Sequence, residues 1–341
     1  MESTPEKKLL DKQTRMLEVT TAAKIKTVLR RYGVLIATIL VFIVFALITR
    51  EFVSASNIFN IISMASVMGI LSLGLTLFVC AGEFDISFGA ISSVCGAVSI
   101  ILLAQGWNLY LAWTVSVLLG VGFYVINAIN VLKVGIPSFV ATLGMWGICL
   151  GLSRWLTGGF QFYAAEYPAG FPSIGRVILF GVLPTPIISF LIIGILLVLF
   201  LEFSFRGRNV YAVGGNPEAA SHVGVNVKKT KWMVFLIAGF TTGLAGIIMG
   251  SKFGAGIHDM GGSYLMSAII GCFLGAVFLK DGMPNARGTV VACFLLAILE
   301  NGFVMTNVKF YMKEIIQGII LVLAVAAVSL LRGRAIQGVK L

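Results

Sequence analysis

The chain has 341 residues, of which 58% are hydrophobic and only 11% charged, with a net charge of +11 and a mean hydropathy of +1.00. Soluble domains hold about 45–50% apolar and about 25% charged residues, so a soluble enzyme, a disordered region and a nucleic-acid-binding module are all poor readings, the last despite the positive charge. What remains is an all-α protein that crosses a membrane many times.

In chain order, residues 1–33 carry eight Lys and Arg residues ahead of any apolar run. They read as a basic cytoplasmic tail held near anionic headgroups. No small-residue cleavage site follows the first apolar run, which argues against a signal peptide. A helix needs about 20 apolar residues to span a bilayer, and ten stretches qualify. They run Val34–Arg50, Ile58–Ala81, Ser87–Ala104, Tyr110–Val131, Phe139–Leu156, Leu179–Leu201, Trp232–Gly250, Leu265–Leu279, Thr289–Met305 and Ile315–Leu331. Residues 332–341 are left as a second cytoplasmic tail. With both termini inside, 19 of the 25 Lys and Arg residues fall on the cytoplasmic side, as the positive-inside rule requires. Glycines four apart at Gly147/Gly151, Gly239/Gly243, Gly246/Gly250 and Gly271/Gly275 let helices approach closely, either as fixed packing or as a moving seam.

Groups for catalysis are scarce. No G-x-x-x-x-G-K-[ST] loop occurs, so the chain has no phosphate cradle of that type for ATP. His222 and His258 stand outside any H-E-x-x-H pattern and read as polar loop residues. The five cysteines lie in or beside apolar runs without C-x-x-C spacing and read as buried hydrophobes. No catalytic residue, metal or cofactor is expected.

Three polar places interrupt the apolar pattern. Glu83 and Asp85, in the stretch Gly82–Gly89, place two carboxylates beside hydrocarbon. Asp85 either caps a helix starting near Ser87 or lines a solute path, and the glycines permit a broken helix there. Glu300 and Asn301 lie within the ninth span, where a carboxylate costs about 2–4 kcal/mol unless satisfied. They line a path or bond a neighbouring helix. The basic loop 203–231 contains Asn216-Pro217-Glu218, a good helix start: the Asn caps, the Pro loses no hydrogen bond, and the Glu sits at the positive end of the dipole. Gly224 is a plausible stop. The spacing predicts a two-turn helix between Gly-rich hinges, lying at the interface or docking a partner. Phe160–Arg176, rich in aromatics, suits either interface anchoring or docking of an external protein.

The segment from Phe205 to Val225, F-R-G-R-N-V-Y-A-V-G-G-N-P-E-A-A-S-H-V-G-V, resembles the signature of permease subunits of bacterial ATP-binding-cassette sugar importers, the ribose/galactose/xylose/autoinducer-2 group. Gly74–Leu77 through Gly82–Gly89, Ile136–Met145 and Ala238–Gly246 are similar to further motifs of that family, in the same order. The resemblance spans about residues 34–331, making that stretch a permease domain with a coupling loop at 203–231. It implies a multi-pass protein of the bacterial inner membrane that moves a small polar solute, a monosaccharide or related compound, by alternating access. The expected partners are a cytoplasmic ATPase, an external solute-binding protein and a second permease copy or paralogue, set in membrane lipid. The resemblance assigns ATPase coupling to Arg206, Gly207, Arg208, Gly214, Gly215, Asn216, Glu218, Ala219, Ala220 and Gly224. Glu83, Asp85, Ser87, Thr142, Glu300 and Asn301 are candidates for the substrate path. Two departures stand out: Glu83-Phe84 replaces the commoner Gly-Ile, and Tyr264–Gly282 lacks the family's acidic residue and much of its glycine run. Both point to a divergent member. The alternative is an ion- or proton-coupled carrier acting alone through Asp85 or Glu300.

Overall fold

The computed structural model describes residues 32–337 apart from Ala169, residues 180–182 and residues 279–281. Nearly all of the expected N-terminal tail, Lys280, and the last four residues of the C-terminal tail lie outside the described residues. The described chain forms α1 (Tyr32–Ile48), α2 (Ala55–Cys80), α3 (Phe88–Ala104), α4 (Leu109–Ile129), α5 (Ser138–Thr157), α6 (Thr185–Val198), α7 (Phe205–Gly215), α8 (Pro217–His222), α9 (Val227–Phe253), α10 (Leu265–Val277), α11 (Ala286–Met305) and α12 (Phe310–Gln337). Wider π turns extend α4 through Asn130–Val134 and α6 through Leu199–Phe203. Of the ten apolar helices at the ten expected positions, seven are long and apolar enough to cross a membrane, whereas α1, α3 and α10 are shorter. The last helix also runs on to Gln337, past the expected end at Leu331.

Local chemistry sets these boundaries. Ser54, Asn108, Asn226 and Asn285 precede α2, α4, α9 and α11, and each side chain accepts a backbone N–H of the first turn. Gly158 and Gly254 end α5 and α9 in the left-handed conformation, with φ of 66° and 64°.

Helix contact runs along glycines. A Cβ on Gly243 would lie 2.9 Å from the Val117 Cα, and one on Gly239 2.9 Å from the Val121 Cα, which marks the α4–α9 seam. Gly250 meets the Gly96 carbonyl of α3, and Gly271 meets Ser72 of α2. Three of the four glycine pairs are therefore packed within the chain. The pair Gly147/Gly151 is different: with Gly144 it lies on an exposed face of α5 with nothing within 4 Å.

Each end of the bundle has its own character. At one end, the Cys80–Ser87 turn, α7, α8 and the starts of α9 and α11 meet: Lys231 pairs with Glu83, the Tyr211 hydroxyl donates to the Pro284 carbonyl at 3.0 Å, and Arg287 pairs with Glu202 at 2.7 Å. At the other, the 158–176 segment folds over the end of α9. Ser251 donates to the Phe171 carbonyl at 2.7 Å, Arg176 to the Lys252 carbonyl at 3.0 Å, and strand Gln161–Phe162 pairs antiparallel with Gly256–Ile257. From there residues 254–264 leave the surface and push in beside α3. Gly256 lies against Ala97, and the Gly261 N–H donates to Ser93 at 2.9 Å. This inward excursion is why α10 is short: 13 residues reach only about 20 Å.

Candidate functional site

Asp85 is 1% exposed. Its Oδ1 accepts from the Ser87 backbone N–H at 2.7 Å and the Ser87 hydroxyl at 2.6 Å, while Oδ2 accepts from the Tyr124 hydroxyl of α4. Tyr124 also lies 3.1 Å from the Thr242 hydroxyl of α9, and the Asn127 amide donates to Ser87 at 3.2 Å. The residue thus holds the turn into α3 and also ties that turn to α4 and, through Tyr124, to α9. Thr142 sits on the same turn, accepting from the Ile86 N–H at 3.3 Å, while Ser138 accepts from the Phe84 N–H at 3.2 Å. Glu83 points elsewhere, to Lys231 at the start of α9, with side-chain exposures of 9% and 17%.

The second intramembrane cluster lies apart from this one. Glu300 on α11 accepts from Ser267 of α10, and from Gln317 at 2.9 Å and Lys313 at 2.9 Å, both on α12. Asn301 and Asn57 exchange two amide hydrogen bonds of 2.9 Å, locking α11 to the start of α2. Each carboxylate or amide named from the sequence is thus bonded inside the chain. The sequence analysis missed Tyr124, Asn127, Thr242, Lys231, Asn57, Ser267, Lys313 and Gln317. The visible signal for two of them was Tyr124 and Asn127 three apart on an otherwise apolar helix, one face of which must be buried.

The loop 203–231 is more helical than expected. Arg206–Gly215 belongs to α7, whose start Ser204 caps by accepting from the Gly207 N–H at 2.9 Å. Gly214 and Gly215, the expected hinge before the short helix, are thus helical residues, as is Gly207. Two of them make close approaches: Gly207 packs on Phe200 and Leu201, and Gly214 on the Cys80 and Gly82 backbone. Gly215 meets nothing. Burial pushes the Tyr211 phenol well above its ordinary value, so it stays a neutral donor to Pro284. The short helix forms as the spacing predicts: Asn216 accepts from the Ala219 N–H at 2.9 Å, and Gly224 follows at φ 85°. Ala220 is buried, while Glu218, Ala219, His222 and Val223 are exposed. Arg206 and Arg208 are exposed beside them.

A family profile described as branched-chain amino acid transport system / permease component matches residues 57–325. The chain is 27% identical to the ribose import permease protein RbsC of Bacillus subtilis (strain 168), covering 87% of this chain and 92% of that one. It is 30% identical to the xylose transport system permease protein XylH of Escherichia coli (strain K12), covering 86% and 90%. For the autoinducer 2 import system permease protein LsrC of Escherichia coli O9:H4 (strain HS) the values are 28%, 86% and 84%. No solved structure matches. A permease of this kind is a transport subunit and not an enzyme, and it works with an ATPase and a solute-binding protein. With the seven long apolar helices, the match over most of the chain places a multi-pass protein of the inner membrane in the branched-chain amino acid transport system / permease component family, as an ATP-binding-cassette importer permease.

Proposed function

We propose that this permease carries a monosaccharide or a closely related polyol inward, with α8 as the element that an ATPase subunit grips. The names of the relatives support the first part, since ribose, xylose and autoinducer 2 are small hydroxylated solutes. The observation that carries the second is α8 itself: a capped, solvent-facing helix at the basic end, with Val223 79% exposed at its tip. This end is then cytoplasmic, α7 and α8 form the coupling segment within 203–231, and the segment 158–176 at the far end receives the solute-binding protein. The permease domain of residues 34–331 works beside a second copy or paralogue, in membrane lipid. Asp85, Ser87, Thr142, Glu83, Glu300 and Asn301 act in this reading as joints between moving helices. Replacing the exposed Glu218 by Arg reverses charge at the docking face without touching a packed atom. In proteoliposomes holding permease, ATPase and solute-binding protein, Glu218→Arg should abolish solute-stimulated ATP hydrolysis while thermal unfolding stays unchanged. Wild-type stimulation would reject the assignment of α8.

A further inference from the structure

The acidic groups at the two intramembrane clusters and the Asn301 amide have partners in the chain, the Asn127 side-chain oxygen beside Ser87 being an exception. Buried polar atoms are satisfied as a rule, so those that are not call for a ligand, a water or an ion. Three orphaned atoms lie on two neighbouring elements: the Ser153 hydroxyl near the end of α5, and His258 Nδ1 and Asp259 Oδ1 on the inward-pushing segment, where the Asp259 carboxylate also accepts from the Gly262 N–H. Ser153 is 0% exposed. The pairing of Gln161 with Ile257 brings the chain just beyond α5 alongside that segment, and Asp259 lies within electrostatic reach of both His258 and Arg154. The other orphans, such as Trp113 and Thr185, stand on other elements.

The backbone adds an independent sign. Residues 254–264 are largely irregular yet penetrate the bundle, with Met260 against Gly96 at the middle of α3. Irregular backbone at membrane depth persists only where protein buries it or where it lines a watery cavity. One side of this region is open, since His258 and Asp259 are partly exposed and Arg154 is exposed.

We infer that Ser153, His258 and Asp259, with Arg154 at their rim, form the place where the moving solute's hydroxyl groups hydrogen-bond to the permease. A hydroxyl both donates and accepts, which suits a carboxylate oxygen, an imidazole nitrogen and a serine hydroxyl together. An amino acid's ammonium and carboxylate would also pair with Asp259 and Arg154, but its branched aliphatic side chain would leave the imidazole nitrogen and the serine hydroxyl unbonded. The site therefore favours a polyhydroxylated solute, and leucine is the discriminating probe. This rests on the importer reading above and deepens it.

The test uses permease, ATPase and solute-binding protein reconstituted together, with radiolabelled D-ribose, D-xylose and L-leucine as probes and ATP hydrolysis recorded alongside. Wild type should take up a pentose and exclude leucine. Asp259→Asn and Ser153→Ala should each lower maximal pentose uptake about tenfold, the effect of losing a hydrogen bond to a charged or buried group, with thermal stability retained. Uptake at the wild-type rate in both variants overturns the site, leaving three atoms that only hold water. Leucine uptake overturns the hydroxyl class. Wild-type ATP hydrolysis that the solute-binding protein and permease leave unstimulated defeats the importer reading instead. A second measurement is independent of solute identity: Asp259→Cys should react with a hydrophilic thiol reagent added from outside, whereas Asp85→Cys should not. An inert cysteine at position 259 overturns the proposal on its own.

Discussion

Two adjacent glycines in α7 should respond in opposite ways to one added methyl group. At Gly214 a Cβ would lie 2.8 Å from the Cys80 carbonyl carbon and 2.9 Å from the Gly82 nitrogen, and closer still to the Cys80 oxygen. Those are backbone atoms, so no rotamer change relieves the clash, and comfortable carbon contacts begin near 3.5 Å. The α7 helix must retreat from α2 by roughly 1 Å. Overpacking of this kind costs about 1–3 kcal/mol, set against a gain of at most about 1 kcal/mol for alanine over glycine in a helix. At Gly215 nothing lies within 4 Å and the residue is exposed, so only the gain remains. Hydrogen exchange over residues 205–222 and solute-stimulated ATP hydrolysis, measured on the reconstituted importer, read both effects. Gly214→Ala should loosen the segment and lower stimulation severalfold, whereas Gly215→Ala should slow exchange or leave it unchanged and keep full activity. Equal behaviour of the two variants would refute the claim that α7 acts through its contact with the Cys80–Gly82 turn.

The same logic separates the helix seams: Gly243→Ala should lower stability by about 1–3 kcal/mol, because the Cβ meets Val117 backbone at 2.9 and 3.0 Å, whereas Gly147→Ala should cost nothing in thermal unfolding of the single chain in detergent. Lys231→Met strands Glu83, whose side chain is 9% exposed. It should destabilise by about 1–3 kcal/mol, less than a sealed ion pair would lose because Lys231 keeps some water. The double variant with Glu83→Gln should recover most of that loss, and a double-mutant cycle by thermal unfolding checks the recovery.

Helix positions were legible because hydrocarbon thickness and period leave little choice: among the described residues each of the ten apolar stretches holds an apolar helix, seven of them long enough to span a membrane. The Asn216 cap was legible for a local reason, since cap, proline and stop all lie within nine residues. The partners of the polar residues were not. Nothing in the sequence near Asp85 names Tyr124 or Thr242, which arrive from α4 and α9 at separations of 39 and 118 residues from Asp85 and Tyr124 respectively. Gly214 looks like a hinge in sequence because glycine permits both freedom and close approach, and only packing decides between them. The inward path of residues 254–264 was hidden for a related reason. Its polar and glycine composition matches a surface loop, and burial becomes visible only once Ala97 and Gly89 are found against it.

If α8 is the element an ATPase grips, as proposed above, these contacts give the permease a short mechanical route from that face to the membrane interior. The α8 helix joins α7 directly through Asn216, so a push on one moves the other. α7 is wedged by Gly207 against the end of α6 and by Gly214 against the end of α2, with backbone on backbone at both places and no flexible side chain to absorb displacement. Five residues from Cys80 stands Asp85, whose carboxylate binds the start of α3 to Tyr124 of α4, with Thr242 of α9 beyond. Packed interfaces switch between discrete arrangements and do not deform continuously, so a shift of about an ångström at Gly82 has to be met by a change of partner or angle at this junction. A buried carboxylate that loses Tyr124 gains no water in exchange. The junction therefore moves as a unit, and the glycine seams of α9 against α3 and α4 are the surfaces on which it can slide.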